Sequence, residues 1–129
     1  MALVSFRALT SITAGQPVTL TSGGAIYPSS AANLTNAKCV GIALDSAGAT
    51  GLVRVDKDRI QYIFTGQTTG NLAYLGLASG TIKSSYSALQ TEVNASAYTS
   101  VYLVSLGRAV STSGLNIEIK PPVLIGTPI

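Results

Sequence analysis

Apolar residues recur at every second position along most of the chain. Val53 and Val55 alternate with Leu52, Arg54 and Asp56. Ile60, Tyr62 and Phe64 alternate with Arg59, Gln61 and Thr65, and Leu115, Ile117 and Ile119 with Asn116, Glu118 and Lys120. A period of two is the spacing of side chains on a strand that lays one face on a core. Val40, Ile42 and Leu44 share one such face, with the small Cys39, Gly41 and Ala43 on the other. Residues 101–106 are apolar on both faces, which predicts a central strand or one covered by a second chain. Turn signals such as Ala14-Gly15-Gln16-Pro17, Ser22-Gly23-Gly24, Ser79-Gly80 and Ser113-Gly114 separate the runs. Short strands broken by Gly-rich turns predict an all-β fold, a small β-barrel or jelly-roll-like sandwich with little helix. Residues 29–36 have room for one helical turn. Residues 84–93 are the best other helix candidate, but their serines and Thr91 favour a loop with a single turn.

The run of strands is written twice. In the first half AGQPVTL (14–20) precedes a Ser/Ala/Asn loop, CVGIALD (39–45), a Gly turn and GLVRVDK (51–57). In the second half TGNLAYL (69–75) precedes a similar loop, SLGRAVS (105–111), a Ser-Gly turn and GLNIEIK (114–120). The offsets are 55 from Gly15 to Gly70, 66 from Gly41 to Gly107 and 63 from Gly51 to Gly114, so an insertion sits around residues 84–98. Two similar β-units packed together would bury faces that neither could cover alone. The expected organisation is a single all-β domain over 1–129, with the repeat at about 13–58 and 68–120 and terminal arms at 1–9 and 121–129.

Only 10% of the 129 residues are charged and 47% are hydrophobic, with a mean hydropathy of +0.42. Soluble domains average about 25% charged residues. No uninterrupted apolar run approaches the roughly 20 residues of a membrane-spanning helix, so the expected surface is one partly covered by neighbouring subunits. The first residues lack the basic start and long apolar run of a secretion signal. The lone Cys39 has no internal disulfide partner and reads as a small buried residue. The net charge is +3, and the eight basic residues are scattered along the chain, which predicts neither a nucleic-acid surface nor a membrane partner.

The chain contains no His, which removes the usual general base and nearly all zinc and iron sites. No cofactor or metal is expected. Asp56-Lys57-Asp58 could present two carboxylates to a cation, yet Lys57 and Arg59 neutralise them, and a solvated turn is the better reading. A glycosidase pair from Asp45, Asp56, Asp58, Glu92 and Glu118 is arithmetically available, with nothing in the sequence to bring two together. Gly66-Gln67-Thr68-Thr69-Gly70 lacks the ending of a phosphate loop and reads as a linker. Asn33 and Asn94 begin accidental sequons. Tyr62, Tyr74 and Tyr102 read as core or interface residues, with a sugar-binding face as the lesser alternative.

AGQPVTL, VGIALDSA (40–47), LGRAV (106–110) and IEIKPPVLIG (117–126) resemble a group of small β-rich bacteriophage head decoration (capsid cement) proteins, with related modules in phage tail and fibre proteins. The second copy departs from the first, with Leu72 at the place of Pro17 and Arg108 at the place of Ile42. The resemblance implies a non-catalytic β-barrel or jelly-roll unit, usually a homotrimer, seated where major capsid protein subunits meet. It also implies location on the virion capsid surface after assembly in a bacterial cytoplasm. A receptor- or glycan-binding module or adaptor of a tail fibre or spike is the alternative. The termini supply the candidate interface: Leu3, Val4 and Phe6 to extend a neighbour's sheet, and the uncharged Pro121, Pro122, Val123, Leu124, Ile125 and Ile129 to lie in a groove between chains.

Overall fold

The computed structural model describes residues 3–129. The chain opens with β1 (Val4–Ala8), β2 (Pro17–Leu20), β3 (Ala25–Pro28), the one-turn helix α1 (Leu34–Ala37), β4 (Cys39–Ala43) and β5 (Leu52–Asp56). It continues with β6 (Ile60–Gln61), β7 (Leu72–Leu75), β8 (Ile82–Lys83), α2 (Tyr86–Asn94), β9 (Ser100–Leu103), β10 (Ser105–Ala109), β11 (Leu115–Ile117) and β12 (Val123–Gly126). The fold is all-β.

The first five strands close into a barrel in the order β1-β3-β2-β4-β5, filled by Ala8, Ile12, Val18, Ile26, Ala43, Val53 and Val55. Closure comes from a short parallel contact, Arg7 opposite Ala25 and Ala8 opposite Ile26. The next strands form an open sheet, β6-β11-β10-β7-β8, and β12 pairs with β9 in a two-stranded layer. Cut between β1 and β3, the barrel reads β3-β2-β4-β5-β1. The open sheet reads β8-β7-β10-β11-β6, antiparallel at every step as in the barrel.

The registers match as well. Pro17 faces Ile42 and Val18 faces Gly41, then a bulge brings Thr19 opposite Cys39. Leu72 faces Arg108 and Ala73 faces Gly107, and the same irregularity brings Tyr74 opposite Ser105. The Gly15 amide donates to the Ala43 carbonyl at 2.8 Å, and the Gly70 amide to that of Ala109 at 2.8 Å. At the following hairpin the Leu44 amide donates to Arg54 at 2.8 Å and the Val110 amide to Gly114 at 2.9 Å. Arg54 therefore stands where Gly114 stands, and the alignment of Gly51 with Gly114 is out of step with the pairing. The two bulges need glycine for space. A Cβ on Gly41 would sit 2.7 Å from the Asp56 carbonyl oxygen, and one on Gly107 would overlap that of Asn116.

β4 is buried on both faces. Ala43 points into the barrel, and Ile42 points out of it into the core of the second sheet, against Phe64, Ala73, Ala109, Leu115 and Ile117. A third cluster joins Ala31 and Ala37 to Leu75, Val104 and Leu106.

Several elements differ from the sequence expectations. The 84–93 stretch is not a loop with a single turn but carries the nine-residue helix α2, Tyr86–Asn94. Ser85 caps it, its Oγ accepting from the Ala88 amide at 3.1 Å, and Leu89 and Val93, one turn apart, are buried. Residues 101–106 belong to two strands in two sheets, β9 and β10, with the buried Val104 between them. The alternation over 60–64 yields only a two-residue strand. Tyr62 is 64% exposed, with its ring over the bare backbone of Gly114, and Phe64 turns back into the core. Asp56 is fully buried, not in a solvated turn. Its Oδ2 accepts from Gln61 Nε2 at 2.7 Å and its Oδ1 from the Asp58 amide at 3.2 Å.

Candidate docking surface

Neither end of the described chain is a detached arm. β1 is a wall of the barrel, with Val4 opposite Val55 and Phe6 opposite Val53. β12 folds back on β9, placing Val123 opposite Leu103, Leu124 opposite Tyr102 and Ile125 opposite Val101. Ile125 and Ile129 pack on Leu89, Val93 and Val101. The Ile129 carbonyl accepts from Gln90 Nε2 at 2.5 Å and from Asn94 Nδ2 at 3.1 Å, and its amide donates to Asn94 Oδ1 at 2.7 Å. The uncharged tail is thus partly covered by its own helix, although Val123 and Leu124 stay exposed.

The proposed terminal residues nonetheless meet in one place. A cleft of about 390 Å³ runs between the start of β4 and the link from β11 to β12, lined by Lys38, Cys39, Val40, Lys57, Ile119, Lys120, Pro121 and Pro122. A smaller hollow of about 110 Å³, lined by Val4, Phe6, Val55, Val40 and Lys57, adjoins it through the last two residues. The local sequence builds this shape. The Glu118 and Lys120 amides donate to the Leu106 and Ser105 carbonyls at 2.9 and 3.0 Å, holding the chain beside β10. Pro121 and Pro122 then have no amide to continue the ladder. Ile119 packs against two of the buried clusters, fixing the cleft floor.

The structure thus joins Val4 and Phe6 to Pro121 and Pro122. It leaves Leu3 half-buried before β1, and it sends Val123, Leu124, Ile125 and Ile129 to the α2 side. The sequence reading missed Lys38, Val40, Lys57, Ile119 and Lys120. Their lysines look scattered along the chain, and only strand pairing gathers them. The one available signal was that Lys57 and Lys120 end the two matched motifs.

Electrostatically the cleft is one-sided. Lys38, Lys57 and Lys120 are exposed at its rim. Lys120 pairs with Glu118, whereas Lys38 and Lys57 have no carboxylate partner among the described residues. Cys39 is half-buried rather than fully buried, because it lines the cleft. Loss of hydration still pushes its thiol up to about 11, so it is a protonated, poorly nucleophilic group near neutrality.

Asp45 and Glu92 have structural partners. Asp45 accepts from Arg54 Nε at 3.0 Å and Nη2 at 2.9 Å, which lowers its carboxyl to about 2. Glu92 accepts from the Leu77 amide at 2.8 Å and pairs with Lys83 at 3.1 Å, tying α2 to the sheet. Asn33 caps α1, and Asn94 holds Ile129. Among the described residues no three His, Cys, Asp or Glu side chains are grouped to hold a metal, and no helix is long and apolar enough to cross a membrane.

On the far side of the second sheet, Tyr74 and Tyr86 meet edge to face with ring centres 5.9 Å apart. They border a shallow hollow of about 260 Å³ with Gly70, Asn71, Leu72 and Arg108, whose Nη1 donates to the Gly70 carbonyl at 2.5 Å. The chain matches no protein-family model, and no curated protein is significantly similar to it in sequence.

Proposed function

We propose that this chain is a non-catalytic structural protein of a bacteriophage virion, a homotrimer that docks on the major capsid protein at subunit junctions and clamps the shell. The observation that carries the reading is that a β1-lined hollow and a lysine-rimmed cleft lined by the post-β11 prolines adjoin through Val40 and Lys57. The charge-poor composition supports it, and the exposed Val4, Leu52, Tyr62, Val123 and Leu124 are apolar surface that a partner would cover. The resemblance in sequence supports it too. A closed trimer repeats each docking surface three times, and linked contacts strengthen one another without any single tight site. The reading places the chain on the outer capsid surface, after assembly in the bacterial cytoplasm.

Light scattering checks the first part: the native mass should be three times the 13.1 kDa of one chain. Titration onto parent-phage shells lacking this protein checks the second. Saturable binding, weakened when Val40→Asp is introduced, is the expected result; no binding by the trimer would end the proposal.

The Tyr74–Tyr86 hollow, with Asn71 and Arg108 beside the rings, favours a second reading as a glycan-binding module of a tail fibre or spike. Binding of host-surface glycans that is lost in Tyr86→Ala, together with indifference to shells, would establish it in place of the first.

A further inference from the structure

We propose that the cleft holds an extended acidic segment of the partner protein, anchored by one aliphatic side chain in the Val4–Phe6 hollow. The inference rests on the reading that this face docks a protein, and it adds the chemistry of what is docked.

Three cations, Lys38, Lys57 and Lys120, stand around one cleft, and Glu118 is the acidic group paired with any of them. Clustered like charges raise the local potential, and an incoming anion relieves it. Lysine suits this role: its ammonium carries three rotatable donors and meets a carboxylate from many directions. The floor between the cations is aliphatic, made by Val40, Ile119 and the two prolines. The prolines have no amide to offer a new strand, so recognition there falls to side chains. The adjoining hollow is apolar apart from Lys57, and its volume of about 110 Å³ suits a single branched aliphatic group.

The alternative polyanion is nucleic acid. Single strands are held by bases stacked on exposed aromatic faces along a basic groove. Here the floor offers Val, Ile and Pro, and the nearest ring, Phe6, is half-buried and packed on the barrel core. The combination of apolar anchor and flanking cations fits a peptide with carboxylates on both sides of a Leu, Ile or Val.

The test uses the full-length protein and a short fluorescent peptide, a central leucine between runs of aspartate and glutamate. Binding should shift the amide resonances of Lys38, Val40, Lys57 and Ile119. Affinity should fall at least tenfold in the Lys38→Glu, Lys57→Glu double variant, and by a similar factor when the peptide's leucine becomes glycine. Both lysines are exposed and, among the described residues, without carboxylate partners, so an unchanged melting temperature should show that the variant folds. Peptide binding unaffected by the double reversal, no peptide binding at all, or tighter binding of oligothymidine than of peptide would overturn the inference. Shell titration with Val40→Asp separates the two ideas. Reduced shell binding alongside a silent peptide leaves the docking reading standing and removes only the acidic segment, whereas undiminished shell binding removes the cleft as a docking face.

Discussion

The barrel and the second sheet share a strand order, a bulge and a set of turn hydrogen bonds, yet one closes and the other stays open. In the barrel the outer strands β1 and β3 have five and four residues and meet in parallel. Their counterparts β6 and β8 have two residues each. After β6 the chain leaves the sheet at Tyr62, and after β8 Ser85 starts a helix. The open side of its core is covered instead by Ile42 of the barrel and by Phe64, while Leu89, Val93, Val101, Ile125 and Ile129 of α2, β9, β12 and the tail form a separate cluster packed on Tyr74 and Leu77. The length of the outer strands, rather than the pattern of the inner three, decides whether this arrangement becomes a barrel.

Substitutions can probe how deep the correspondence runs. Ile42 and Arg108 occupy equivalent positions, but Ile42 is fully buried and Arg108 is exposed. Ile42→Ala should cost about 4 kcal/mol by urea unfolding, while Arg108→Ala should stay within about 0.5 kcal/mol. Equal effects would show that the barrel lies less tightly on the sheet than described. Gly41→Ala and Gly107→Ala should each cost about 3 kcal/mol, because both place a methyl against a carbonyl across the bulge. A large loss in one and none in the other would break the equivalence.

The open unit alone depends on the tail. Removal of residues 121–129 should destabilise by about 2 kcal/mol through loss of the partly buried Ile125 and Ile129. Hydrogen exchange should then show lost protection in α2 and β9 with β1–β5 unchanged.

The thiol belongs to the barrel alone, since Ser105 stands at the position of Cys39. Its pKa is raised from 9.0 to about 11, so the unfolded chain releases the proton first as pH rises. Stability should fall, by order of 2 kcal/mol, between pH 9 and 11, and Cys39→Ser should flatten that slope in alkaline melts. Asp45, lowered by Arg54 from 3.8 to about 2, acts in the opposite direction. Its contribution is complete above about pH 4 and fades as acid approaches 2. The pair is largely exposed, so Asp45→Asn should shift the melting temperature only slightly at pH 7 and by less still at pH 2, where the folded carboxyl is half protonated.

The all-β class was legible because alternation marks Val53, Val55, Leu115 and Ile117, and these are buried. Periodicity could not say where a strand stops. Tyr62 and Ile119 continue the alternation, but neither lies in a strand, because pairing partners run out before the pattern does. Helix α2 was obscured by Ser84, Ser85, Ser87 and Thr91, whose low propensity is outweighed by the Ser85 cap and the burial of Leu89 and Val93. The buried Asp56 was hidden because its partner Gln61 lies across a turn that no local rule specifies. The cleft was half legible: the terminal segments stood out by composition, but the lysines come from three separate parts of the chain.

Because β4 gives one side chain to each of two interiors, the halves of this molecule hold a wall in common. Heat should therefore not melt them in turn. Calorimetry should record one peak whose measured enthalpy equals that inferred from its sharpness, and a gene split after Asp58 should yield two fragments insoluble apart and soluble when co-expressed. The twice-written pattern should then answer to temperature as one body.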